Sequence, residues 1–125
     1  MADRAKILVI DDDEAVRDTI CENLSACGFD VVAALDGEQG IQMIEPDNPP
    51  RLLITDIIMP RQEGLETIIN IRNSYPAVKI IAISGGGRAR NMDILEQARM
   101  LGADAIFGKP FDIDELERTV KRLLG

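Results

Sequence analysis

Five short apolar runs alternating with stretches of helical periodicity constrain this chain more than any other feature of it. The runs are Ile7 to Ile10, Phe29 to Leu35, Leu52 to Ile54, Lys79 to Ser84 and Ala105 to Gly108. Apolar residues on both faces mark strands covered on both sides, the habit of parallel sheets. Between them, Val16, Ile20 and Leu24 recur every four residues, and Gly28 suits the position just past a helix end. A turn or cap at Asp36 and Gly37 opens a short helix through Ile41 and Ile44, closed by Pro46, Pro49 and Pro50. Leu65, Ile68, Ile69 and Arg72 give a third helix, stopped by Tyr75 and Pro76, and Pro60 ends regular structure after the third run. A fourth helix from Arg90 to Leu101 carries Ile94, Leu95, Ala98 and Leu101 on one face, with Gly102 as its stop. Asp112 and Glu115 resemble a capping box opening a fifth from Ile113 to Leu124. A strand-helix spacing of roughly 25 residues predicts an α/β fold: a doubly wound five-stranded parallel sheet, flavodoxin-like (βα)5, with right-handed crossovers and strand order 2-1-3-4-5.

The 125 residues suit a single domain over residues 1–125 with a full core, and no repeat or linker interrupts them. No apolar run approaches the ~20 residues of a membrane span. The opening MADRAKILVIDDD lacks the pattern of a secretory signal, so the expectation is a cytoplasmic protein with no membrane partner. A net charge of −8, no Trp and few other aromatic residues argue against direct nucleic-acid binding. Cys21 and Cys27 fall on different faces of the first helix and read as free thiols in a reducing compartment. The absence of histidine excludes a Ser-His-Asp triad, a His-ligated zinc and a phosphohistidine on this chain.

In open parallel sheets, ligands bind beyond the carboxyl ends of the strands at the point where strand order reverses, here between strands 1 and 3. Both of those strands end in aspartate: ILVI runs into Asp11, Asp12 and Asp13, and LLIT into Asp56. Ser84 ends strand 4 and Lys109 follows strand 5, so these side chains converge on one rim. Two like charges ~4 Å apart repel by about 4 kcal/mol at an effective dielectric near 20, so crowded acids call for a cation or a proton. Oxygen donors with room for water suit Mg²⁺ or Mn²⁺. Asp13 reads as a cap of the first helix; Asp11, Asp12 and Asp56 read as functional rather than as caps or solvated strand ends. A carboxylate beside a divalent ion and a lysine is also a phosphoryl acceptor, because the cations neutralise the transferring oxygens while the carboxylate attacks in line. The Ser84 hydroxyl and glycine-loop amides hold remaining oxygens in that reading. Nucleotide motifs fail on spacing: a dinucleotide fingerprint starting at Gly85 meets Arg90, and a phosphate-binding loop ending at Gly108 and Lys109 meets Ala103 and Pro110.

From Lys6 to Leu124 the chain resembles a response-regulator receiver domain, the phosphoacceptor module of two-component signalling, through ILVIDDD, LLITDIIMP, IIAIS and GKPF in that family's order and spacing. The resemblance implies that Asp56 accepts the phosphoryl group and that Asp11 and Asp12 hold Mg²⁺ together with Asp56 and the backbone carbonyl of Ile58. It implies that Ser84 and Lys109 contact the phosphoryl group and that a cis peptide at Lys109–Pro110 aims the lysine. The implied donor is a phosphohistidine on a sensor histidine kinase or histidine phosphotransfer protein. The implied output is a change in the face formed by helix 4, strand 5 and helix 5, transmitted through the Gly85–Gly87 loop, expected to be mobile. That face acts on a protein target or an output domain, with the chain a monomer or a phosphorylation-dependent dimer, standing alone or cut from a longer regulator. No enzymatic activity is expected beyond Mg-dependent self-phosphorylation and self-dephosphorylation.

Three positions depart from the family pattern. Ile106 stands where Tyr or Phe is frequent, and alternation turns Phe107 to the opposite face, so it does not substitute. Glu63 stands where Asp is usual in the MPxxDG pattern. Ile58 and Gly86 offer no polar group to position an attacking water, which predicts slow self-dephosphorylation. Ile58→Asn is therefore expected to shorten the lifetime of the phosphorylated chain, followed by intact mass after donor removal; an unchanged lifetime would count against this reading. Two rival readings fit less well. A haloacid-dehalogenase-like phosphohydrolase would use Asp11 as nucleophile, but needs two further acids on a late strand, where only Asp104 stands near. A receiver-like interaction module without phosphorylation would have no use for intact Asp56, Lys109 and acid pair.

Overall fold

In the computed structural model, which describes residues 4–57, 63–85 and 88–125, the apolar runs assemble into one five-stranded sheet. The elements in chain order are β1 Lys6–Ile10, α1 Glu14–Ala26, β2 Asp30–Ala34, α2 Gly37–Gln42, β3 Leu52–Asp56, α3 Glu63–Ser74, β4 Lys79–Ser84, α4 Arg88–Met100, β5 Ala105–Gly108 and α5 Ile113–Leu124. The strand order is β2-β1-β3-β4-β5, and every neighbouring pair is parallel. Pro60, the Ile58 carbonyl and residues Gly86 and Gly87 of the predicted loop lie outside the described residues.

Side chains on a strand alternate between faces, and here both faces are apolar. Ile7, Val9, Leu52, Ile54, Ile81 and Ile83 meet Ile20 and Leu24 of α1 and Leu116 and Val120 of α5. Leu8, Ile10, Leu53, Ile80 and Ala82 turn the other way, against Ile68 and Ile71 of α3 and Leu95 and Ala98 of α4, with Ile41 of α2 at the margin. Among the described residues no helix is long and apolar enough to cross a membrane.

The local signals read from the sequence act as expected at several ends. Asp13 Oδ1 accepts from Ala15 N at 3.0 Å and Val16 N at 3.4 Å, capping α1, and Gly28 just past its end takes φ +96, where a side chain would be strained. Asp36 caps α2 through Gln39 N at 2.8 Å. Both cysteines are free. Four expectations are corrected. β3 extends beyond the Leu52–Ile54 run to Thr55 and Asp56, because β1 pairs with it as far as Thr55 and β4 as far as Asp56. α4 begins two residues earlier than its apolar stripe indicated. On α3 the buried pair is Ile68 and Ile71, whereas Ile69 is 39% exposed, since one turn cannot bring adjacent residues to one face. Asp112 caps α5 by accepting from Asp114 N at 2.9 Å, two residues on, rather than from Glu115 as a capping box requires.

One side chain ties together the segments that lead into β4 and β5. Arg72, in the last turn of α3, donates to the carbonyls of Pro76 at 2.8 Å, Val78 at 2.9 Å and Gly102 at 2.6 Å. It also meets Asp104 Oδ2 at 3.2 Å, and the same oxygen accepts from Ile80 N at 2.8 Å. Three carbonyls on two loops thus depend on one guanidinium, and charge-assisted bonds of this kind outlast neutral ones. Arg72→Met is expected to cost about 2 kcal/mol in urea unfolding, and a loss below about 0.5 kcal/mol would show that solvent replaces the bonds.

Candidate functional site

Alternation decides which strand ends share a site. Asp11 continues the row of Ile7 and Val9, Asp56 the row of Leu52 and Ile54, and Lys109 the row of Ala105 and Phe107, all facing α1 and α5. The three strands present these residues at their carboxyl ends, where side chains are no longer roofed by the next layer. Lys109 Nζ donates to Asp56 Oδ2 at 2.9 Å and stands 3.0 Å from Asp11 Oδ2, so one ammonium serves two carboxylates. Asp11 is 1% and Asp56 4% exposed, while Asp12 lies open to solvent. Carboxylate oxygens of Asp11, Asp12 and Asp56 lie within 4.8 Å of one another. Ser84, by alternation in the row of Ile80 and Ala82 on the other face, is buried at the neighbouring strand end, its Oγ 3.4 Å from the Gly85 carbonyl oxygen. Of the residues picked out from the sequence, Asp11, Asp12, Asp56 and Lys109 are therefore brought together, Ser84 stands beside them, and Ile58 lies outside the described residues.

Burial of the Lys109 ammonium pushes its pKa down, but the hydrogen bond to Asp56, the close approach of Asp11 and the negative charge of both outweigh this and leave it above the ordinary lysine value of 10.5. Lys109 is thus a fixed positive charge at neutral pH. Among the described residues, three carboxylates gather around one ammonium, an excess of formal negative charge that a cation would relieve. Asp11 Oδ2 is buried and, among the described residues, accepts no well-directed hydrogen bond beyond the ion contact with Lys109. An under-satisfied buried oxygen in an all-oxygen cluster is what a hard divalent cation requires, and the donor set fits Mg²⁺ or Mn²⁺. The Lys109–Pro110 peptide is cis.

Three further residues shape the site without a signal in the spacing of side chains. Thr55, fully buried, donates its hydroxyl to the Asp56 carbonyl at 3.0 Å. Arg17 Nη1 donates to the Asp11 carbonyl at 2.9 Å. Gly64 brings the start of α3 so close to β3 that a Cβ there would collide with Ile57 Cα and the Asp56 carbonyl oxygen. The glycine beside Glu63 in the MPxxDG pattern was the only one of the three with a readable cue.

Residues 7–121 match the response regulator receiver domain. The chain belongs to that family. The response regulator MprA of Mycobacterium ulcerans (strain Agy99) is 36% identical over 121 residues, covering 95% of this chain and 50% of that protein. This receiver domain thus spans about half the length of the curated relatives it matches. The crystal structure of the receiver domain of NtrX from Brucella abortus aligns with a TM-score of 0.85 at 32% identity, over 94% of this chain and 97% of that one. A putative response regulator from Chloroflexus aurantiacus J-10-fl aligns with a TM-score of 0.86 at 27% identity, over 98% of both. The acidic pocket of Asp11, Asp12 and Asp56 fits the phosphoacceptor site of a receiver domain, and the match favours that reading over the phosphohydrolase and the unphosphorylated module.

Proposed function

We propose that this receiver domain, over residues 1–125, takes a phosphoryl group from a phosphohistidine on a partner kinase or phosphotransfer protein onto Asp56. The observation that carries the reading is the Lys109 ammonium shared between Asp56 and Asp11 inside a three-carboxylate cluster. Asp11, Asp12 and Asp56 would hold Mg²⁺, and the backbone carbonyl of Ile58 is the further donor that the family resemblance implies. The bound ion supplies charge neutralisation of the phosphoryl oxygens. An Asp56 carboxylate oxygen forms the new P–O bond as the P–N bond to the donor imidazole breaks, and the imidazole keeps the bonding pair and takes a proton. Lys109 meets the transferring oxygens with a charge that is already in place, so little reorganisation is needed. Ser84 hydrogen-bonds the product, drawing the Gly85 backbone and α4 toward it and shifting the α4, β5, α5 face that a target or output domain reads. A groove of about 590 Å³ between α1 and the β5–α5 loop, floored by Val16, Pro110, Phe111 and Ile113, opens beside Lys109 and offers a protein donor an apolar approach.

The test is the intact mass of the chain after incubation with Mg²⁺ and acetyl phosphate. One added phosphoryl group that EDTA prevents is the expected result. No gain in mass, with no free phosphate released, would overturn the reading in favour of an unphosphorylated interaction module; steady phosphate release from generic phosphomonoesters would favour the hydrolase.

A further inference from the structure

Asp11 and Asp12 are neighbours in the chain but are held in opposite ways. Asp11 N donates to Ala34 O at 3.2 Å, Asp11 Oδ1 accepts from Asp13 N at 2.9 Å, its Oδ2 stands 3.0 Å from Lys109, and its carbonyl accepts from Arg17 at 2.9 Å. The backbone and Oδ1 of Asp11 are thus fixed by hydrogen bonds, and Oδ2 has only its ion contact with Lys109. The Asp12 carboxylate is exposed and no described residue bonds to it, so its direction is inherited from the two peptide planes on either side. The later plane is pinned by the Asx turn from Asp11 Oδ1 to Asp13 N. The earlier one, joining Asp11 to Asp12, is pinned by a single long side chain, Arg17, reaching back from the first turns of α1. If that plane rotated, the Asp12 Cα–Cβ bond would swing with it, and the Asp12 oxygen would leave the 4.8 Å cluster with Asp11 and Asp56.

We propose that Arg17 is a positioning residue for the divalent-cation site: by holding the Asp11 carbonyl it directs the Asp12 carboxylate toward Asp11 and Asp56. The inference rests on the reading of that cluster as a Mg²⁺ site. A charge-assisted bond from a planar guanidinium to a peptide oxygen is a strong and directional restraint, and contacts that orient metal ligands are commonly worth 10–100-fold in affinity. Arg17 also brings a positive charge near the acids, which on its own opposes cation binding. The two effects have opposite signs, and the geometry favours positioning, because the guanidinium bonds the carbonyl rather than any carboxylate.

The experiment is calorimetric titration of the chain with Mg²⁺, paired with the electron paramagnetic resonance signal of free Mn²⁺, on the wild type and on Arg17→Met, Arg17→Lys and Arg72→Met. Arg17→Met is expected to bind about ten-fold more weakly, Arg17→Lys to recover most of the loss because it keeps a donor and the charge, and Arg72→Met to lose stability yet bind as the wild type does. Unchanged or tighter binding by folded Arg17→Met overturns the proposal in favour of simple charge repulsion. An equal loss in Arg72→Met overturns it too, since affinity would then only follow stability. Should Arg17→Met not fold, Arg17→Gln, whose amide is too short to span the same gap, carries the same expectation and the same refutation. A wild-type chain that binds neither ion overturns the metal-site reading itself, whereas wild-type binding with an indifferent Arg17→Met overturns the positioning role alone.

Discussion

Lys109→Met is expected to destabilise the chain by about 3 kcal/mol in the absence of divalent ions and to lower phosphoryl uptake at least about 100-fold. The substitution keeps the length of the stem and removes the ammonium that Asp11 and Asp56 share. Those two carboxylates are 1% and 4% exposed, so water cannot replace the ammonium, and removing one partner of a buried ionic cluster leaves the others uncompensated. The cost falls at the low end of the usual range because the Lys109 side chain is itself 18% exposed. Millimolar Mg²⁺ should restore part of the lost stability, since it supplies the missing positive charge to the same oxygens. The pH dependence has a definite sign. Because the folded-state pKa of Lys109 lies above the ordinary lysine value of 10.5, its stabilising contribution is complete below that value and is lost as pH rises through the folded pKa. The difference in urea stability between wild type and Lys109→Met is therefore expected to be flat from about pH 7 to 9 and to shrink only above about 10.5. A difference that already declines near pH 8 would mean that the ammonium is not held as described.

Asp56→Asn is expected to accept no phosphoryl group from acetyl phosphate and, in EDTA, to be more stable than the wild type by about 1–2 kcal/mol. The amide has the shape of the carboxylate and its oxygen can still accept from Lys109, but it is no nucleophile. Its neutrality removes the repulsion between two buried acids that share the Lys109 ammonium, leaving Lys109 with Asp11 as its charged partner. Saturating Mg²⁺ should narrow the gap, because the wild type gains more from the ion. Thermal unfolding with and without Mg²⁺ reads the second effect and intact mass the first. A phosphorylated Asp56→Asn chain would move the acceptor to another residue, and a variant less stable than wild type in EDTA would show that the cluster is not strained by its charge.

The strands were legible because each is a short apolar run with polar punctuation: β4 and β5 have the bounds read from KIIAIS and AIFG. Helix faces were less so. Ile68, Ile69 and Ile71 are chemically alike, and only packing distinguishes the buried two from the exposed one. In the site, the acids and the lysine were legible because a charge ending a buried strand has no structural excuse. Arg17 and Thr55 were not, since each bonds a backbone carbonyl, which has no residue identity and leaves no spacing to find. Gly64 matters through the atom it lacks.

Sequence alone pointed to the layered α/β sheet, its strand order, and the convergence of Asp11, Asp12, Asp56 and Lys109 on one rim, because continuous apolar runs and strand-end residues are local properties and five alternating βα units select the order. Tertiary structure alone decided that one ammonium spans two carboxylates, one of them 53 residues away in the chain, and that Arg17 pins the Asp11 carbonyl. Those are matters of ångströms and direction between distant segments, set by how the sheet twists and how closely each helix packs on it, and no one-dimensional pattern encodes them.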